Sequence, residues 1–171
     1  MEDFNLTTTY VNWGKSRIKL TWTSSHILPQ PELITSVHAF CFHQEKLLLV
    51  DIKNRGWNFP GGHIEQNESP IECVKREVME EACVEGDCTY IGYIEVNHSE
   101  NPNWNSNSPY PLIGYQAIYR MDITRIHPFV SNFESAQRIF IQPNEIPLHC
   151  EDWHEVYADI LRRSLSYEIV N

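Results

Sequence analysis

The order of patterned segments predicts an α+β fold, with a mixed β-sheet between helices as an α/β/α sandwich. Three observations carry this. Runs rich in β-branched and aromatic residues dominate the first third, a strongly marked helix start stands at Ser69, and Glu151–Tyr167 repeats apolar residues at helical spacing. No internal repeat, low-complexity tract or linker divides the chain, so residues 1–171 are expected to fold as a single domain.

Taken in order, Arg17–Thr23 alternates as R-I-K-L-T-W-T and predicts a strand. Ser36–Phe42 and Lys46–Ile52 flank the polar turn His43–Glu45 and predict a hairpin. Asn54-Arg55-Gly56 and Pro60-Gly61-Gly62 punctuate the chain around Trp57-Asn58-Phe59, which leaves room for a very short strand, and a loop is expected to follow as far as Glu68. Ser69 can cap, Pro70 suits the first helical position and Glu72 completes an S-x-x-E capping box, so a helix is predicted from Ser69 to about Ala82. Cys88–Val96 and Leu112–Asp122 read as strands separated by His98–Pro111, a polar segment rich in Asn, Ser and Pro expected to be a lid or a mobile loop. Gln137–Gln142 predicts another strand, and Val156, Ile160, Leu161 and Leu165 mark the apolar face of a final helix over Glu151–Tyr167.

Composition narrows the function classes. The 171 residues carry a formal net charge of −10, the opposite of a surface built to neutralise a DNA duplex. A small polyphosphate delivered with a divalent cation remains compatible, because the metal screens the like charges. The cysteines at 41, 73, 83, 88 and 150 form no C-x-x-C pair, and His63, His98 and His149 share no ligand spacing, which disfavours zinc and points to reduced thiols in the cytoplasm. No signal-like start and no apolar run of about 18 residues is found, so neither secretion nor a membrane partner is expected. A phosphate-binding G-x4-G-K-[S/T] loop and a G-x-G-x-x-G fingerprint are both absent from the sequence.

The chemistry concentrates on the predicted helix at 69–82. Glu77, Glu80 and Glu81 are related as i, i+3 and i+4 and share one face, while Ile71, Val74, Val78 and Ala82 form an adjoining apolar stripe. Like charges at these spacings destabilise a helix by a few tenths of a kcal/mol per pair (~0.2–0.5) unless a cation compensates. Hard oxygen ligands so clustered suit Mg2+ or Mn2+ bridged to phosphate. An isolated E-x-x-E-E is, however, more often a solvated helix face than a metal site.

The surroundings change that balance. Gly62, then Glu68 after five residues, then Arg76-Glu77-Val78 after seven, then Glu80-Glu81 and Val84, stand at the spacing of G-x5-E-x7-R-E-U-x-E-E-x-G-U, with U aliphatic. This segment resembles the Nudix box, and Trp57–Glu65 is similar to the W-x-F-P-G-G-x-x-E lead-in of the same family. The departure is Cys83 where that family has Gly. Cys adopts the left-handed conformation at a cost of about 1 kcal/mol or more, so either the residue bears that cost or the helix runs on to Gly86.

The resemblance implies a pyrophosphohydrolase in which water attacks a nucleoside diphosphate linked to a further group, with Mg2+, or Mn2+ in its place, as cofactor. It implies Glu77, Glu80 and Glu81 as metal-binding and catalytic residues, the Gly61 carbonyl as a further ligand, and Arg76 and Glu68 as a pair bracing loop against helix. A carboxylate from outside the box often completes such sites, and Glu134 is preferred here to Glu145 or Glu100. Arg17 and Arg55 are the candidate phosphate contacts, and Trp57, Phe59, Trp104 and Tyr110 the candidate base-stacking residues. The substrate expected is a nucleoside triphosphate, oxidised ones included. An RNA 5′ end is the alternative for the same chemistry, and the lead-in R-G-W-N-F-P-G-G is similar to that of bacillary members proposed for both roles. A non-catalytic nucleotide-sensing module is the reading from another class, and retention of all three helix carboxylates argues against it. A monomer or homodimer is expected on general grounds.

Overall fold

The computed structural model of the protein describes residues 6–167. In chain order the strands are β1 (Thr7–Trp13), β2 (Ser16–Ser24), β3 (Ile34–His43), β4 (Lys46–Ile52), β5 (Gly56–Asn58) and β6 (Gly61–His63), followed by helix α1 (Pro70–Ala82). After it come β7 (Val84–Asn97), β8 (Ile113–Ile126), β9 (Ser135–Ile141), the one-turn helix α2 (Ile146–His149) and α3 (Glu155–Ser166). The strands form one mixed sheet with the path β1-β2-β7-β8-β3-β4-β5, in which β6 pairs with β3 and β9 with β4. β3 and β8 are parallel and the other pairs antiparallel.

The two faces of the sheet carry separate apolar layers. On one, Val37, Ala39 and Cys41 of β3 and Leu48 and Val50 of β4 meet Cys73, Val74, Val78 and Ala82 of α1, all fully buried. On the other, Phe40, Leu47, Leu49, Ile94 and Ile118 pack with Ile146 of α2 and Val156 and Ile160 of α3. Strand alternation produces this division, since successive β3 side chains point to opposite faces. The expected mixed sheet between helices is therefore what the chain forms.

Several elements depart from their predicted bounds. β1 was not anticipated; it pairs with β2 through a two-residue turn at Gly14-Lys15, where Gly14 takes φ 63°. β6 was expected to be loop. It forms because β4 pairs with β3 only at Phe42–His43, which leaves the other end of the same β3 edge open to Gly61–His63. The final helix begins at Glu155 rather than Glu151, because the His154 side chain caps it by accepting from the Tyr157 N–H. α1 ends at Ala82 and does not run on to Gly86, for Cys83 takes the left-handed conformation at φ 55°, ψ 44° and strand β7 starts at the next residue.

The 98–111 segment is a succession of asparagine-organised turns. The side chains of Asn97, Asn101 and Asn105 each accept from the backbone N–H two residues on, at 2.8, 3.0 and 2.9 Å. That is the local bonding Asn offers in place of a strand ladder. Among the described residues no helix is long and apolar enough to cross a membrane.

Candidate active site

The start of α1 is fixed locally. The Ser69 hydroxyl accepts from the Glu72 N–H, and the Glu72 carboxylate accepts from the Ser69 N–H at 2.8 Å. Burial of Val74 and Val78 on the sheet then fixes the rotation of the helix, and full burial of two such side chains contributes about 3 kcal/mol or more. With phase and rotation set, Glu77 and Glu81 are presented toward β6, and Glu80 stands beside Arg76.

Close approach there depends on two glycines. A Cβ on Gly61 would stand 2.2 Å from the Val37 carbonyl oxygen, and one on Gly62 would stand 2.3 Å from the Glu77 carboxyl carbon. The loop therefore lies directly against the helix carboxylates. The Gly61 N–H donates to Glu81 Oε2 at 3.0 Å.

Arg76 ties the loop to the helix. Its Nε and Nη2 donate to the two oxygens of Glu68 at 2.7 and 3.0 Å, its Nη1 to Glu77 at 2.8 Å and Glu80 at 3.4 Å, and its Nη2 also to the His63 carbonyl at 3.1 Å. Such a fork-to-carboxylate pair is directional as well as charged. The guanidinium holds the Glu68 carboxyl down at about 2.

Glu81 is in the opposite situation. It is 6% exposed, and burial raises its carboxyl to about 8; the Gly61 N–H opposes the rise, while the charges of Glu77 and Glu134 add to it. Burial likewise raises Glu77. Two half-compensated carboxylates, with a third close enough to be felt, make a pocket of negative potential that a small divalent cation would relieve.

The donor set is chemically that of a hard cation: carboxylate oxygens of Glu77, Glu80 and Glu81, with the Gly61 backbone beside them. Among the described residues, no three His, Cys, Asp or Glu side chains form a ready ligand cage. Arg76 bonds to Glu77 and Glu80, and Gly61 engages Glu81.

The remaining predicted residues separate into two groups. Glu134 and Arg55 are brought near Glu81, since both charges act on it. They line, with Lys53, Asn54 and Phe133, a cavity of about 520 Å³. Tyr110 is brought to the other end of β6, stacking on His63 with ring centroids 5.7 Å apart, and Trp104 donates to the Tyr110 carbonyl at 3.1 Å. Arg17 is not brought in; it lies over the Tyr10 ring at 4.2 Å on the β1–β2 hairpin. Phe59 is 3% exposed and stacked on Phe40 at 3.9 Å, so it is a core residue and not a base-stacking one. Trp57 packs partly buried against the same layer, edge-on to His149 at 6.2 Å.

Two residues were missed by sequence reasoning. Lys53 shares the β4–β5 turn with Arg55, and a Lys-Asn-Arg turn before the glycines was a signal that could have found it. His38 stands opposite Gly61 on β3; its Nδ1 is buried without a hydrogen-bond partner among the described residues, and burial lowers its imidazole to about 4. An alternating strand gives no hint of that.

The NUDIX domain profile matches residues 33–163. Among solved structures, the pyrophosphohydrolase BsRppH of Bacillus subtilis superposes with a TM-score of 0.64 at 21% identity, covering 88% of this chain and 90% of that one. An ADP-ribose pyrophosphatase from Streptococcus suis gives 0.53 at 21% identity, over 78% and 92%. The NUDIX domain of Shewanella oneidensis NrtR, solved with ADP-ribose, gives 0.56 at 16%, over 80% and 92%. No curated protein matches the sequence significantly. At these identities the structural likeness speaks for the fold, while the profile, spanning most of the chain and the whole loop-and-helix unit, shows that the chain belongs to the NUDIX family of enzymes hydrolysing phosphoric anhydride bonds.

Proposed function

We propose that this chain, acting as one domain of 171 residues in the cytoplasm as a monomer or homodimer, is a Mg2+-dependent pyrophosphohydrolase of nucleoside triphosphates, oxidised ones included. The observation that carries this reading is the packing of Gly61–Gly62 directly on the Glu77 and Glu81 carboxylates, beside a cationic turn at Lys53–Arg55.

Glu77, Glu80 and Glu81, with the Gly61 carbonyl and Glu134, would hold Mg2+ or Mn2+. When bound, the metal supplies polarisation of the phosphate oxygens and acidifies coordinated water. Arg76 and Glu68 keep the helix and the loop in register, so that the Gly61 carbonyl and the helix acids keep a fixed separation. Lys53 and Arg55 offset the charge of the polyphosphate outside the metal-binding acids. Exposed Tyr110 and the neighbouring Trp104 offer ring faces to a base, which every base can use.

Release of phosphate or pyrophosphate from ordinary and oxidised nucleoside triphosphates, ADP-ribose and 5′-triphosphorylated RNA, with and without Mg2+, tests the reading. Turnover of the triphosphates only with Mg2+, and a fall of about 100-fold or more in Glu80→Gln, is the expected outcome. Unchanged turnover in Glu80→Gln would sink the catalytic assignment.

A further inference from the structure

Helix α1 ends under conditions that disfavour it. Glu80 and Glu81 lie in its last turn, where the helix dipole is negative, and no basic residue of its own stands there. Its terminal carbonyls lack intrahelical partners. The residue that turns out of it is Cys83, in a conformation that glycine takes freely and a side chain does not.

All three deficits are met from one stretch of chain far away in sequence. Arg138 of β9 donates through Nη1 to the Ala82 carbonyl at 2.5 Å and the Cys83 carbonyl at 3.2 Å, and through Nη2 to the His127 carbonyl at 2.7 Å. The buried Ser135 hydroxyl donates to the Glu81 carbonyl at 2.5 Å. The His127 N–H donates to the Cys83 carbonyl at 2.9 Å, and the Cys83 thiol faces the Val130 carbonyl at 3.9 Å. Phe129 and Phe140 flank the guanidinium, 5.5 and 6.0 Å from their ring centres.

Arg138 therefore joins two things that must keep their separation. One is the end of the helix that carries Glu80 and Glu81. The other is the 127–135 segment, which carries Glu134 and is anchored by Arg138 at its first residue and by Ser135 at its last. A guanidinium suits this better than an ammonium, because its two Nη groups are separate donors fixed in one plane, one turned to the helix end and the other to His127. An ammonium offers its three donors from a single point.

We propose that Arg138 is a positioning residue for the helix carboxylates and Glu134: it supplies across space the cation and the carbonyl partners that the α1 terminus lacks, and it stabilises the exit through Cys83. The proposal rests on the metal-binding reading of Glu77, Glu80 and Glu81 given above.

The test uses the full chain with Arg138→Met, Arg138→Lys, and Arg138→Met combined with Cys83→Gly. Binding of Mn2+ alone is followed by electron paramagnetic resonance, and kcat and KM are measured on the best substrate of the panel. Loss of an orienting partner typically weakens metal binding or activity about 10- to 100-fold. For Arg138→Met the expected result is Mn2+ binding weakened by about tenfold or more and a lowered kcat, with KM within about twofold. Arg138→Lys recovers only part of this, and Cys83→Gly partly rescues Arg138→Met, because glycine releases the strain that Arg138 holds in place. Mn2+ affinity and kcat within about twofold of the parent in Arg138→Met would overturn the proposal. Should Arg138→Met fail to fold, Arg138→Lys decides by the same two readings. A parent protein whose Mn2+ binding is untouched by Glu80→Gln would instead overturn the metal reading on which the proposal rests.

Discussion

Glu68 and Glu81 show how one short stretch can hold two carboxyls in opposite states. Glu68 meets a guanidinium on both oxygens and stays ionised to about pH 2, whereas Glu81 is buried beside other acids and is raised to about 8. Because the folded pKa of Glu68 lies below its ordinary 4.5, its contribution to stability is complete above about pH 4.5 and is lost as pH falls toward 2. Thermal melting of the parent and of Glu68→Gln across acidic pH checks this. The gap between them should be constant above pH 5 and close between about 4.5 and 2; a gap unchanged at the acid end would contradict it. Phe59 is the other residue whose role the structure decides. Stacked on Phe40 inside the core, it should report on stability rather than on binding, so Phe59→Ala is expected to cost about 3–5 kcal/mol in denaturant melts. Substrate KM should stay put in the folded fraction.

At the scale of elements, α1 was readable because its signals are local. Ser69, Pro70 and Glu72 mark its start within one turn, and Ser69→Ala should cost about 1 kcal/mol of unfolding free energy with kcat nearly unchanged at temperatures where the variant is folded. A kcat lost along with stability would mean that the cap does more than begin the helix. The elements that escaped the sequence are those whose causes lie elsewhere in the chain. β6 contains two glycines and has no strand propensity of its own; it is a strand because β4 leaves part of an edge of β3 unpaired. β1 reads Thr-Thr-Thr-Tyr-Val-Asn-Trp, β-prone residues whose only apolar–polar alternation is the short Val11-Asn12-Trp13, so a reading keyed to hydrophobic alternation passes over it. Phe59 sits in a stretch full of turn residues, and only the arrival of Phe40 buries it. The helix acids, Arg76 and Glu68 were legible through their spacing. Arg138 was not, since its sole trace in the sequence was the missing glycine at position 83.

For the whole molecule, charge is the property that separates substrates. A net charge of −10 works against neutralising the many phosphates of a long nucleic acid, whereas Lys53 and Arg55, which line the cavity with Glu134, are enough for a short polyphosphate. At saturating Mg2+, raising the ionic strength from about 0.05 to 0.2 M should change kcat/KM for a nucleoside triphosphate by less than about threefold. A loss approaching about a thousandfold with triphosphorylated RNA over the same range would show that many backbone phosphates are being contacted, and would shift the substrate reading to RNA ends.

The parallel pairing of β3 with β8 has a consequence for the order in which the molecule is made. It joins Ile34 to Tyr115 and Phe42 to Asp122, so the whole stretch from β4 to β7, the glycine loop and α1 included, is a closed excursion between two strands that meet only when both exist. On a ribosome, where domains are completed from the N-terminus onward, β3 emerges with an open edge and waits for roughly eighty further residues. Arg138 and Ser135 emerge later still. The nascent helix thus has β3 and β4 to pack on as it emerges, but it carries its three acids before the side chains that close its end have been synthesised.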